Sequence, residues 1–364
     1  MIAVSRMAAE IAEQPAALRA TIDALLPLRD EIARTCAGRR RVVFSARGSS
    51  DNAATYGRYL LETHAHVMSG LAAPSVATLY RSRLDLTDTV VVSVSQSGRT
   101  TEIVETQDWA RAQGAATIAV SNHADSPLAA GADLALTTLA GTEMAVPATK
   151  SYLTQVAAMA VLGLALGPPD PDLESRLDDV VGEVEGQLTD VSRLDPIVEL
   201  LAGPQERIVT SRGLLMGTAL ETALKLEETC GRPVRGYSFA DLRHGPISVV
   251  GDDVTAVLVA AADGPLRAPM LELAADLRRR GATTVAVGGD EEFGASCDLA
   301  TGPIATTERL APLVAIVPMQ LVIERVARAM GLDPDKPRGL SKVTQTDATV
   351  APGLSMRRSS HDKG

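Results

Sequence analysis

The sequence carries two copies of one pattern. Ser45-Ala46-Arg47-Gly48 returns as Thr210-Ser211-Arg212-Gly213, an offset of 165. The helical stretch after each turn reaches Leu61-Glu62 in one copy and Leu226-Glu227 in the other. Gly114-Ala115-Ala116-Thr117-Ile118-Ala119-Val120 then returns as Gly281-Ala282-Thr283-Thr284-Val285-Ala286-Val287, an offset of 167. Two matches in the same order at nearly the same offset imply duplication of one supersecondary unit.

The unit reads as alternating strands and helices. In the first copy, residues 41–46, 88–94 and 117–120 are short β-prone runs, and helix candidates follow at 51–63 and up to 113. Continuous apolar strands alternating with helices predict an α/β fold, a parallel sheet covered on both faces. Two such lobes leave a crevice at the C-terminal ends of their strands. Residues 1–36 read as a helical lead with prolines at 15 and 27, and residues 151–166 as a long apolar helix. Gly167-Pro168-Pro169-Asp170-Pro171-Asp172 is the clearest breaker. The expected divisions are the lead at 1–36, a first lobe at 37–167, a linker and connecting helix at 168–202, a second lobe at 203–332, a polar C-terminal segment at 333–352 and a disordered tail at 353–364.

Composition excludes several classes. Lys and Arg total 35 against 45 Asp and Glu, a net charge of −10. That balance lacks the basic footprint of a sequence-independent nucleic-acid binder. Aromatic residues are 2% of the chain, too few for stacking platforms. Cys36, Cys230 and Cys297 form no CxxC pair, which argues against a disulfide framework or structural zinc and fits a reducing cytoplasm. No apolar run approaches the roughly 18–20 residues of a membrane span, and the N-terminus has no secretory h-region. A cytoplasmic protein with no membrane or nucleic-acid partner is expected.

Three Gly-containing turns close strands and open helices: Arg47-Gly48-Ser49-Ser50-Asp51, Ser95-Gln96-Ser97-Gly98-Arg99-Thr100-Thr101 and Arg212-Gly213. Helix N-termini favour anions. The hydroxyl cluster of the second turn favours phosphate over ordinary N-capping, and no Walker lysine is present. Glu221, Lys225 and Glu228 fall at i, i+4 and i+7 on one helix face. Spacing alone fits either an exposed ion pair or a carboxylate base beside an ammonium. His244, in Arg243-His244-Gly245-Pro246, is an acid/base candidate only where it converges with Glu228. No histidine pair has the spacing of a helical metal site, so no metal is expected. Lys342 lies in a Pro- and Gly-rich polar segment. A buried lysine there can react with a carbonyl; an exposed one is solvated.

These motifs, with Glu143-x-x-Val146-x-x-Thr149-Lys150, Ala223-Leu224-Lys225-Leu226-x-Glu228 and Pro337-Arg338-x-Leu340-x-Lys342, resemble the double sugar-isomerase (SIS) domain proteins over about residues 35–345. The family includes the isomerase half of glutamine–fructose-6-phosphate aminotransferase. The resemblance implies two duplicated SIS lobes, each a mostly parallel sheet flanked by helices in a flavodoxin-like three-layer sandwich. It assigns phosphate and sugar contacts to Ser50, Ser95, Gln96, Ser97 and Thr100, with Ser49 and Val146 lining the site and Arg47 beside them. It makes Glu228 the C1/C2 proton shuttle, Lys225 its assistant, His244 a ring opener from a partner subunit, and Lys342 the carbonyl-reactive lysine. No cofactor is implied, and a homodimer with shared sites is.

Two departures from the aminotransferase matter. The aminotransferase begins with a catalytic-cysteine glutaminase domain, whereas only a helical lead stands before the first lobe in the sequence at hand, so no ammonia channel is expected within it. Arg47 stands where the synthase has a cysteine. Arg-Gly-Ser-Ser-Asp and Ser-Gln-Ser-Gly-Arg look most like the second type of glucosamine-6-phosphate deaminase, which implies release of ammonia from glucosamine 6-phosphate. The rivals are a fructosamine-6-phosphate deglycase, a galactosamine 6-phosphate enzyme, a synthase with a separate glutaminase, and a non-catalytic sugar-phosphate sensor.

Overall fold

In the first copy, strands β1 (Arg41–Ser45), β2 (Met68–Leu71), β3 (Thr89–Val94), β4 (Ala116–Ser121) and β5 (Leu134–Thr137) form one sheet in the order β2-β1-β3-β4-β5. Every pairing in it is parallel. The second copy supplies β6 (Glu206–Ser211), β7 (Val234–Ser238), β8 (Val254–Ala260), β9 (Thr283–Gly288) and β10 (Leu299–Ala300), in the order β10-β9-β8-β6-β7. Read from its other edge, that is the same permutation, again all parallel. The expected two-lobe α/β architecture is therefore the observed one. The computed structural model describes residues 4–342, so the expected tail at 353–364 and positions 343–352 lie outside the described residues.

Burial explains the strands. All six residues of β3 and of β4 are buried, as continuous Val, Ile and Ala runs between two helical layers require. The chain leaves β1 toward β2 on one side, and β3 leads to β4 on the other. The C-terminal ends of β1 and β3 thus form a topological switch point, where open α/β sheets bind ligands. Register makes this exact at the residue level: Ser45 pairs with Ser93, so the turns after both strands emerge side by side.

The helical lead is three helices, Arg6–Ala12, Gln14–Leu25 and Arg29–Cys36. Pro15 and Pro27 sit in first turns, where their missing N–H costs no intrahelical bond. After the Pro-rich breaker the connection is itself helical, at Pro171–Gln187 and Asp195–Ala202, with Asp170 capping Leu173 N at 2.9 Å. Leu173, Leu177, Val180 and Val184 bury one stripe of the first connecting helix. No helix among the described residues is long and apolar enough to cross a membrane.

Four central helices join the lobes: Ser49–Leu60 and Lys150–Leu166 from the first, Met216–Cys230 and Ala311–Ala329 from the second. One hydrophobic cluster runs through all four. Ser49–Leu60 packs directly on Met216–Cys230. Gly217 permits this, because a Cβ there would collide with Asn52 O and stand 3.3 Å from Tyr56 N. That close crossing places Asn52 of one lobe against Glu221 of the other.

Candidate active site

A cavity of about 350 Å³ opens at the switch point of the first lobe. Residues from both lobes and from the C-terminal segment line it. Arg47, Ser49, Ser50, Ser95, Gln96, Ser97, Thr100, Val146, Lys225, Glu228 and Lys342 are all present in its wall. Of the expected site residues, only His244 is absent. It is exposed at the end of the helix Phe239–Arg243 and does not reach its own chain's cleft.

The first wall is built from the turns after β1 and β3. Gly48 takes φ +57° as it starts the helix Ser49–Leu60, a conformation that L side chains rarely adopt. Gly98 takes φ +61°, and a Cβ there would strike Ser126. Thr100 occupies the N-cap position of the helix Thr101–Ala112, yet its side chain makes no capping bond. Its hydroxyl lies 3.3 Å from Ser95 Oγ instead. Ordinary N-capping therefore does not account for this hydroxyl, and the pair stands at the head of a twelve-residue helix dipole. Arg47 reaches the same wall through a bidentate pair with Glu102, at 2.9 and 2.7 Å. Glu102 was not singled out from sequence, since nothing local links it to a residue 55 positions earlier.

The opposite wall is the helix Met216–Cys230. Lys225 is fully buried, hydrogen-bonded to Glu228, and its Nζ lies 3.7 Å from Glu221 Oε1. Asn52 Nδ2 donates to Glu221 Oε2 at 2.8 Å. The exposed-pair reading of this face fails: Glu221 and Lys225 are buried, and only Glu228 is partly open, at 26%. Burial alone would lower the Lys225 ammonium's affinity for its proton, but Glu221 and Glu228 outweigh it and hold the value above the ordinary lysine range. Burial pushes Glu221 up, with Lys225 and Asn52 offsetting part of it. A half-open carboxylate beside a charged ammonium can take a proton from a bound molecule and return it.

The third wall holds a residue that the sequence reading quoted but did not assign. Glu143 is fully buried and accepts from Thr149 N at 3.0 Å, Ser151 N at 3.1 Å and Ser151 Oγ at 2.6 Å. Lys342 Nζ donates to it at 2.6 Å and to Ala145 O at 2.7 Å. Burial would raise the Glu143 carboxyl; Lys342 and the Ser151 and Thr149 bonds override it and hold the value below the ordinary 4.5. The helical lead supports this wall from outside. Glu10 accepts from Met144 N, and from Ala145 N at 3.2 Å. The Asp335 carboxylate caps the first helix by accepting from Arg6 N and Met7 N, at 2.9 and 2.8 Å, while Asp335 O accepts from Val146 N at 2.9 Å. The helical lead and the segment around Asp335 therefore both support the wall that holds Lys342.

Known proteins resemble this chain in sequence and in fold. The glutamine–fructose-6-phosphate aminotransferase of Symbiobacterium thermophilum is 34% identical over 358 residues, which cover 92% of this chain and 58% of that protein. This chain thus spans less than two thirds of that relative's length. The C-terminal domain of glucosamine-fructose-6-phosphate aminotransferase from Francisella tularensis superposes with a TM-score of 0.84 at 26% identity, covering 92% of this chain and 99% of that one. A glucosamine-6-phosphate deaminase from Thermotoga maritima shares the fold, with a TM-score of 0.77 at 22% identity over 94% of this chain and 100% of that one. The family model of the SIS domain matches residues 36–165. Those residues are the first lobe from the end of its helical lead through its central helix, and the second lobe repeats their strand order, so this chain belongs to the SIS domain family.

Proposed function

We propose that the chain is an amino-sugar phosphate deaminase and isomerase, converting glucosamine 6-phosphate and water to fructose 6-phosphate and ammonia. One observation carries this reading: a single cleft joins the Ser95–Thr100 hydroxyl loop of one lobe to the Lys225–Glu228 pair of the other. A sugar phosphate needs an anion site at one end and a proton shuttle at the other. In this reading Ser50, Ser95, Gln96, Ser97 and Thr100 hold the phosphate, helped by the helix dipole and by Arg47. Glu228 takes the C2 proton of the open-chain aldose and returns it at C1. The nitrogen at C2 becomes a ketimine, water adds to it, and ammonia leaves. Lys225 keeps positive charge beside the developing oxyanion. Lys342 is the group available to the carbonyl, and His244 of a second copy opens the ring, which makes the working unit a homodimer.

The Arg47-Gly48-Ser49-Ser50-Asp51 and Ser95-Gln96-Ser97-Gly98-Arg99 turns support the deaminase direction by their resemblance to the second type of that enzyme. A second reading is supported by the names of the relatives that match 92% of the chain. It is the same isomerisation coupled to amine addition on a ketose phosphate. The assay supplies purified protein with glucosamine 6-phosphate and no glutamine, and measures ammonia and fructose 6-phosphate. Equal yields of both bear out the deaminase. Amination of fructose 6-phosphate by ammonium, without the reverse release, favours the second reading. Tight binding with no reaction in either direction would leave a sensor.

A further inference from the structure

The duplication supplies an internal control for the buried charges. The helices Ser49–Leu60 and Met216–Cys230 are equivalent by repeat and pack alike, each against its lobe's long apolar helix. The positions 165 before Glu221, Lys225 and Glu228 are Tyr56, Leu60 and Thr63. Tyr56 and Leu60 are fully buried, so the architecture packs this helix without any ion at these places. The second copy nevertheless buries a lysine and a glutamate there. Even a paired buried charge gains little over well-packed apolar side chains, and the first copy shows that packing of this helix does not require one.

Counting charge through the proposed reaction identifies what Glu221 does. With all three groups ionised the cluster carries one net negative charge. When Glu228 holds the substrate's proton, it is neutral and no longer balances Lys225. A fully buried ammonium without a counter-ion would then release its own proton. We infer that Glu221 is a positioning residue that keeps Lys225 charged during the half of the cycle in which Glu228 is protonated. This rests on the reading of Glu228 as the shuttle. Glu221 is suited to the task because it never opens to the cleft: it is fully buried and does not line the cavity. Its Oε2 is fixed by Asn52, and its Oε1, which has no hydrogen-bond donor, lies 3.7 Å from Lys225 Nζ.

The remaining groups around the cluster do not replace it. Asn52 and Ser49 from the helix Ser49–Leu60 are neutral, and Tyr152 from the helix Lys150–Leu166 is held un-ionised by burial. Glu143 is already engaged by Lys342 and Ser151. On the helix Ala311–Ala329, Glu324 accepts from Ser5 and pairs with Arg328, and Arg325 pairs with Asp195.

The test needs no substrate. The chain has five lysines, Lys150, Lys225, Lys336, Lys342 and Lys363, so ¹³C-lysine NMR resolves Lys225 by comparison with Lys225→Arg. Glu228→Gln mimics the protonated shuttle. In that variant Lys225 is expected to stay charged through the neutral and mildly alkaline range, held by Glu221 alone. In the double variant Glu221→Gln, Glu228→Gln its titration moves down by about one pH unit or more. Identical titrations in the two variants overturn the inference. Where the double variant does not fold, Glu221→Gln alone decides through kinetics. The expected result is a kcat lower by about tenfold or more with KM nearly unchanged, and both limbs of the pH–rate profile moved toward acid. A merely structural role would lower the melting temperature and leave both limbs in place. If the wild-type protein transforms no sugar phosphate, the proposed function fails, and the NMR comparison still decides whether Glu221 holds the charge on Lys225.

Discussion

Lys342 Nζ and the Glu143 carboxylate meet at 2.6 Å across 199 positions of sequence. The contact brings the C-terminal segment over the cleft, and it buries one carboxylate completely. Removing that carboxylate leaves Lys342, Ser151 and two backbone N–H groups without their acceptor. Glu143→Ala is therefore expected to cost about 3 kcal/mol or more of stability in urea unfolding. The pH dependence has a definite sign. The folded Glu143 carboxyl lies below the 4.5 of an unperturbed glutamate. Its stabilisation is fully present above that unfolded value and is lost as pH falls through the folded value. The stability gap between wild type and Glu143→Gln should be flat from neutral pH down to about 4.5 and shrink below it. A gap that widens on acidification would contradict the ion pair.

The hydroxyl loop yields a binding prediction. The Thr100 side chain makes no capping bond to its helix, so Thr100→Val removes the proposed phosphate contact with little structural loss. Hydrogen bonds to charged groups contribute about 1.5–3 kcal/mol, so KM for a sugar phosphate should rise about tenfold or more. Inorganic phosphate should weaken as a competitor in parallel. Gly98→Ala should be worse on both counts, because φ is +61° and the new Cβ meets Ser126. An unchanged phosphate inhibition constant in Thr100→Val would place the anion elsewhere.

Exposure of His244 away from its own cleft leads to a complementation test. In the proposed homodimer, the Glu228→Gln and His244→Ala variants should each be inactive. Mixed after dissociation, they form hybrids with one site carrying both native groups. About a quarter of wild-type activity should return, the share of intact sites expected from random pairing in a two-fold dimer. Absence of recovery, with hybrids demonstrated by native mass spectrometry, would remove His244 from the partner's site.

Legibility in the sequence followed a physical division. β3 and β4 were readable because fully covered parallel strands are largely continuous apolar runs, and β1 because its Val-Val-Phe core is apolar although Arg41 is exposed. The edge strand β2, Met-Ser-Gly-Leu, was not readable: half of it is exposed and it has no apolar run. The site divided the same way. Loop residues such as Ser95 and Thr100 announce themselves by local chemistry. Glu228 and Lys225 were visible as a spacing, but whether they were buried depended on the crossing at Gly217, a contact between lobes. Glu102 carries no local signal, since its partner Arg47 lies 55 positions away. Glu143 stands in a quoted motif near its donors Thr149 and Ser151, but its ion pair with Lys342 spans 199 positions and no local pattern announces it. The deep burial of Glu221 likewise depends on Asn52 from the other copy.

The role proposed for Glu228 is to move a proton between C1 and C2 of a phosphosugar bound in this cleft. Incubating the protein with fructose 6-phosphate in D₂O and following the C1 hydrogens by NMR tests it whichever direction the enzyme runs. Wild type is expected to exchange one of the two C1 hydrogens. Glu228→Gln is expected to exchange about 10²–10⁴-fold more slowly, with binding of the sugar phosphate by calorimetry nearly unchanged. Equal exchange in both proteins, or tight binding with no exchange in either, would contradict it.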